Sequence, residues 1–163
     1  MRKFIYFIFT LFMCTTLFCS CGKSYLGEII GRYRCSEKIY HTNNWNDDIM
    51  EGYVIGVEGE NLIFSCSDDD SDKKPATLEK FKLSKDNFDI MFSDSDFFEG
   101  KWEGGHKSES IRKNNRASFK AVLDEYNTMA YVLLQKDGTV LYANMLGTYS
   151  NHVCIYIAVL ERA

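Results

Sequence analysis

Lys136-Asp137-Gly138 stands between two apolar, alternating runs, residues 129–135 and 139–146. Asp-Gly in that setting is the strongest short-range hairpin signal a chain carries, because the turn needs positive φ and glycine adopts it freely. A hairpin with one apolar face must bury that face against further strands, so the rest of the chain has to supply them. It does. Residues 31–41 set Tyr33, Cys35 and Ile39 on one face and Arg32, Arg34 and Lys38 on the other, a half-buried strand. Residues 50–57 and 61–67 flank Glu58-Gly59-Glu60 as a second hairpin. Residues 77–83 and 87–93 flank Ser84-Lys85-Asp86, with Phe88, Ile90 and Phe92 sharing a face. Residues 97–105 hold a strand around Trp102, and residues 106–115, charged and without a period, read as a loop. Residues 118–125 fit strand and helix spacing alike; the neighbouring strands decide for strand. Residues 152–160 are apolar on both faces, which suits a strand covered on both sides. Roughly nine or ten short strands predict an all-β domain, an antiparallel barrel or sandwich of about eight to ten strands. Closure removes exposed sheet edges and favours the barrel.

The first residues do not fit that domain. Arg2 and Lys3 precede an apolar stretch, residues 4–18, interrupted only by Thr10, Thr15 and Thr16, and Ser20 precedes Cys21. A charged start, a short apolar run and a small residue at the cut describe a secretory signal. The run is short of the ~20 apolar residues that span a bilayer. Phe18-Cys19-Ser20-Cys21 resembles the lipobox of bacterial lipoproteins, in which a peptidase cuts before a cysteine already carrying a diacylglyceryl group. Phe18 and Cys19 depart from the usual Leu and Ala or Ser, while Ser20 conforms. The resemblance implies a signal peptide at residues 1–20 and lipidation at Cys21. It also implies a lipid-anchored tether at residues 21–30 and a β-barrel domain at residues 31–163. Gly22 in place of Asp fits sorting to the outer membrane, with the domain facing the periplasm. Two or more acyl chains hold a protein stably at a membrane.

Without residues 1–20 the chain has 143 residues, one domain's worth. Losing Arg2 and Lys3 takes the formal net charge from −4 to −6. Such a domain is not built to bind nucleic acid, and its attachment to anionic lipid must rest on acyl chains. Cys35, Cys66 and Cys154 remain as thiols. Export permits disulfides. Cys35 and Cys154, on the first and last strands, form the preferred pair; buried unpaired thiols are the alternative.

Gly31-Arg32-Tyr33 opens the first strand and Arg162 follows the last, which resembles the lipocalin or calycin pattern of Gly-x-Trp packed under an arginine. Tyr33 replaces the Trp. The resemblance implies a barrel with one open mouth, in a family that often holds small apolar ligands. Tyr33, Tyr53, Tyr131, Tyr142 and Tyr156 are the candidate cavity lining. Core packing is the plainer account of the same aromatics.

Other constellations are thin. Asp68, Asp70, Asp72 and Glu79 fall at places 1, 3, 5 and 12 of a calcium-loop frame, but Lys73 stands where glycine is needed. His152 and Cys154 share a strand face, and two ligands do not make a metal site. Asp94, Asp96 and Glu99 near Trp102 read as a solvated loop. No nucleophile elbow or phosphate loop is present. The expectation is a non-catalytic domain without cofactor or metal. It binds a small apolar ligand or serves an envelope-accessory role; alternatively it is an inhibitor or adaptor that docks on an envelope protein through loops such as residues 43–48 and 97–105.

Overall fold

The barrel wall begins and ends in one short segment. The computed structural model describes residues 25–42, 52–66, 74–86, 88, 100–123, 128–147 and 152–163. Their strands are β1 (Gly31–Thr42), β2 (Gly52–Glu58), β3 (Asn61–Cys66), β4 (Ala76–Thr77), β5 (Glu79–Phe81), β6 (Gly100–Trp102), β7 (Asn115–Val122), β8 (Met129–Gln135), β9 (Val140–Gly147) and β10 (His152–Arg162). Nine run in the order β4-β3-β2-β1-β10-β9-β8-β7-β5, all antiparallel. The two ends of that path are separated in sequence only by Leu78. β4 pairs with β3 and β5 with β7, so the chain changes partner within six residues and nearly closes the wall. Leu78 holds the change-over: its N–H donates to the Leu62 carbonyl at 2.7 Å and its side chain is buried. The result is an all-β, nearly closed antiparallel barrel whose described residues include the short helices α1 (Leu26–Ile29) and α2 (Ser108–Asn114).

Strand alternation builds two cores. Tyr33, Tyr53, Ile55, Phe64, Phe119, Val132, Leu134 and Tyr142 point inward and pack across the barrel axis. The intervening residues of β8, β9 and β10, among them Leu133, Leu141, Met145, Cys154 and Ile157, face outward. They meet Phe88 and Ile111 together with the half-buried Trp102. The excursion between β5 and β7 thus covers one outer face of the barrel. Burial on both faces explains why β10 reads as almost continuously apolar, and β8, expected to alternate, is covered on both faces as well.

One end of the barrel is plugged. α1 crosses it: Ile29 is fully buried in the inner core, and the Tyr25 ring lies between Lys80 Nζ at 5.0 Å and the Arg116 guanidinium at 5.1 Å. Glu28 pairs with Arg116 and its carbonyl accepts from Arg162 at 2.9 Å. Tyr33 donates its hydroxyl to the Ile29 carbonyl at 2.8 Å. Arg162 is also the register partner of Tyr33 and stands 5.9 Å from its ring centre, the contact the Gly31-Arg32-Tyr33 pattern implies.

Several expectations need correction. Residues 106–115 carry a helix: Ile111 enters the outer core, Glu109 and Lys113 pair at 2.8 Å, and Arg112 and Lys113 suit the helix end. One buried residue is too little to produce a visible period. Phe88 N–H donates to the Ser84 carbonyl at 3.1 Å, a helical turn where a strand was expected; residues 89–93 lie outside the described set. Tyr33 and Cys35 do share the inner face, but Ile39 belongs to the outer core, because β1 slips register between Cys35 and Glu37 and between Lys38 and Tyr40. Residues 25–30, expected in the tether, carry the packed α1. The expected Cys35–Cys154 bridge is absent although β1 and β10 are neighbours: Cys35 aligns with Leu160 and faces inward, Cys154 aligns with Met145 and faces outward. Cys35, Cys66 and Cys154 are free thiols.

Gly100 allows the outer cover to close. A Cβ there would sit 1.8 Å from the Tyr40 hydroxyl oxygen and 2.4 Å from Cζ of the same ring. That ring is buried and packs on Trp102 at 4.8 Å. Gly100→Ala is therefore expected to cost about 1–3 kcal/mol by overpacking. A urea titration would show it as a lower midpoint with unchanged slope.

Candidate functional site at the end of the barrel opposite α1

The strand ends opposite α1 lie at the other end of the barrel, and residues 43–51, 67–73, 124–127 and 148–151, which connect them, lie outside the described set. Inside that end, aromatic rings form a floor. Tyr53 on β2 packs on Phe64 at 5.4 Å and on Tyr142 at 4.7 Å, and Tyr142 packs on Phe64 at 5.4 Å and on Tyr156 at 5.7 Å. These rings bridge the β2–β3 wall to the β9–β10 wall. The Tyr53 and Tyr156 hydroxyls lie 3.3 Å apart, and Tyr156 also hydrogen-bonds Asn144 and Tyr142. Cys35 hydrogen-bonds Tyr53, and the Lys38 ammonium lies 5.8 Å from the Tyr156 ring centre. Above this floor, Cys35, Cys66, Ala76, Leu123 and Leu146 pack on the inner core but are only half-buried. They come from β1, β3, β4, the end of β7 and β9, and so gather toward that end of the barrel.

Of the five tyrosines singled out from the sequence, Tyr33, Tyr53, Tyr142 and Tyr156 face the interior. Tyr33 belongs to the plugged end and the other three to the floor. Tyr131 faces outward, half-buried, edge-on to Phe81 at 5.0 Å. The ring of Cys66, Ala76, Leu123 and Leu146 was missed, because each stands at a strand end where alternation fades.

Burial keeps this floor neutral. Desolvation pushes the Tyr53 and Tyr142 phenols far above their ordinary value, and the adjoining phenols push them further. Burial likewise raises Tyr156, and it raises the Cys35 thiol to about 11. Each group is neutral in the fold and ionises more easily once unfolded. Their contribution is complete below the unfolded-state values, near 9 for the thiol and 10 for the phenols, and is lost as pH rises toward the folded ones. An alkaline titration followed by tyrosinate absorbance is expected to show the exposed tyrosines first. The buried three should follow in one cooperative step that coincides with loss of the β-sheet circular-dichroism signal.

Other features are less site-like. At the seam, Thr77, Glu79, Lys120, Ala121, Val122 and Met129 line an open groove of about 270 Å³. On the β1–β6 edge Glu103 bonds Lys101 at 2.7 Å and His41 at 3.4 Å, which holds its carboxyl below the ordinary range. Among the described residues no group of three His, Cys, Asp or Glu side chains could hold a metal ion. No described helix is long and apolar enough to cross a membrane. Glu79 is exposed on β5, while Asp68, Asp70, Asp72, Asp94, Asp96, Glu99 and residues 43–48 lie outside the described set, as do residues 1–24 with Cys21. Comparisons with protein-family models, with curated proteins and with solved structures find no match to this chain.

Proposed function

We propose that this chain is an exported lipoprotein, acylated on Cys21, whose barrel is a non-catalytic domain that receives an apolar group at the end opposite α1. The observation that carries the reading is the ring of half-buried Cys35, Cys66, Ala76, Leu123 and Leu146 over a floor of tyrosines. Half-buried apolar side chains converging from five elements offer surface that an apolar group can cover. The phenols and Asn144 beneath them give a polar floor that can orient a ligand tip. The titratable set His41, Lys101 and Glu103 stands on the β1–β6 edge, where His41 is the register partner of Tyr156. Placement in the outer membrane, facing the periplasm, follows from the lipobox-like Cys21 and Gly22.

A second reading has its own support. The rings of Tyr53, Phe64 and Tyr142 already fill the barrel axis below that end, so the site is shallow and suits a protruding side chain of an envelope protein as well as a small ligand. Native mass spectrometry of the full-length chain in detergent separates the two. A co-purifying lipid-sized mass supports the ligand, and a protein adduct supports the partner. A bare chain under conditions that preserve other lipoprotein complexes would contradict both.

A further inference from the structure

We infer that the α1 end of the barrel rests on the lipid surface, with Leu26 and Val57 seated in it and the opposite end held away from the bilayer. This rests on the membrane-tether reading above, and it concerns a surface that reading does not specify. The Tyr25 ring lies near Lys80 and Arg116, and only three residues, four Cα–Cα steps, separate Cys21 from it. At ~3.5 Å per extended residue, the barrel cannot stand more than about 14 Å from an acylated Cys21. A membrane-embedded apolar stretch at residues 4–18 would impose a similar constraint.

The surface at that end fits a bilayer. Three large hydrophobic side chains are exposed among the described residues: Leu26 at 42%, Val57 at 54% and Val122 at 58%. Leu26 lies on α1. Gly31 aligns with Ile55, so Val57 projects past the start of β1 at the α1 end. Val122 is at the opposite end, aligned with Met129 where β8 begins. Around α1, Arg116 pairs with the Glu28 carboxylate, Arg162 bonds the Glu28 carbonyl and Lys80 lies over the Tyr25 ring. Glu58 and Glu60 at the neighbouring hairpin tip offset the charge of these cations, so the contact is chiefly apolar. Strands of about eight residues, tilted as in a barrel, raise the far end by roughly 20 Å. The end that carries Leu123 and Leu146 then faces the aqueous compartment, where a ligand or partner reaches it.

The test uses the full-length chain bound to phosphatidylcholine vesicles carrying brominated acyl chains. Val57→Trp and Val122→Trp each add an exposed tryptophan, read as an increment over the parent, and flotation first establishes attachment. The expected result is at least ~2-fold stronger quenching at 57 than at 122, consistent with seating ~5–10 Å deep. Equal or reversed quenching in a chain that floats would overturn the orientation and leave the tether intact. A chain that does not float overturns the tether and the orientation with it.

Discussion

Tyr142→Ala is expected to destabilise the domain by about 3–5 kcal/mol, the range for removing a large buried ring. Tyr142 is 2% exposed and touches Tyr53, Phe64 and Tyr156, so its ring ties the β2–β3 wall to the β9–β10 wall. Surrounding strands are hydrogen-bonded on both sides and cannot collapse into the gap, which keeps the cavity cost high. A domain of this size holds about 5–15 kcal/mol in total, so one substitution removes a large part of it. Tyr142→Phe keeps the ring and loses only the hydroxyl bond to Tyr156, a change of about 1 kcal/mol. Urea denaturation of both variants separates these values. An alanine variant within about 1 kcal/mol of the parent would mean that the floor is not close-packed at this level.

Cys21→Ser carries the largest expected functional effect. If Cys21 is the acylated residue, incorporation of a labelled fatty acid falls to background, while the barrel, which begins at α1, keeps its stability. Each buried methylene supplies ~0.8 kcal/mol to membrane binding, so loss of the acyl chains removes the main attachment. Labelling of parent and variant in parallel reads the effect directly. Equal labelling of the two chains would place the lipid on another residue.

Much of the barrel was legible in the sequence because its strands alternate. The Lys136-Asp137-Gly138 turn stands where expected, with Gly138 at φ 92°, and Gly59 turns the second hairpin at φ 61°. The ambiguous run near residue 118 is strand β7, and the doubly apolar last strand is central, between β1 and β9. What alternation could not reveal is where the chain breaks it. Two register slips in β1 send Ile39 to the outer core. α2 is short and anchors through Ile111 alone, so its periodicity is invisible. Tyr131 differs from Tyr142 only in parity along adjacent strands, and parity alone does not say which face is the interior. The end opposite α1 was the least legible part. Its residues contribute one half-buried side chain each from five places distant in sequence, and only closure of the wall brings them together.

The central claim is that an apolar group docks at the end opposite α1, and a titration tests it most directly. A fluorescent acyl probe is added to the full-length chain in detergent, and to its Leu146→Lys and Val122→Lys variants. Leu146 is half-buried at that end, whereas Val122 is exposed beside the seam groove. The account predicts saturable binding to the parent, weakened about tenfold or more by Leu146→Lys, which removes apolar contact worth at least ~1.4 kcal/mol. Val122→Lys should leave it unchanged. Saturable binding that both variants retain, or that only Val122→Lys weakens, would contradict the account.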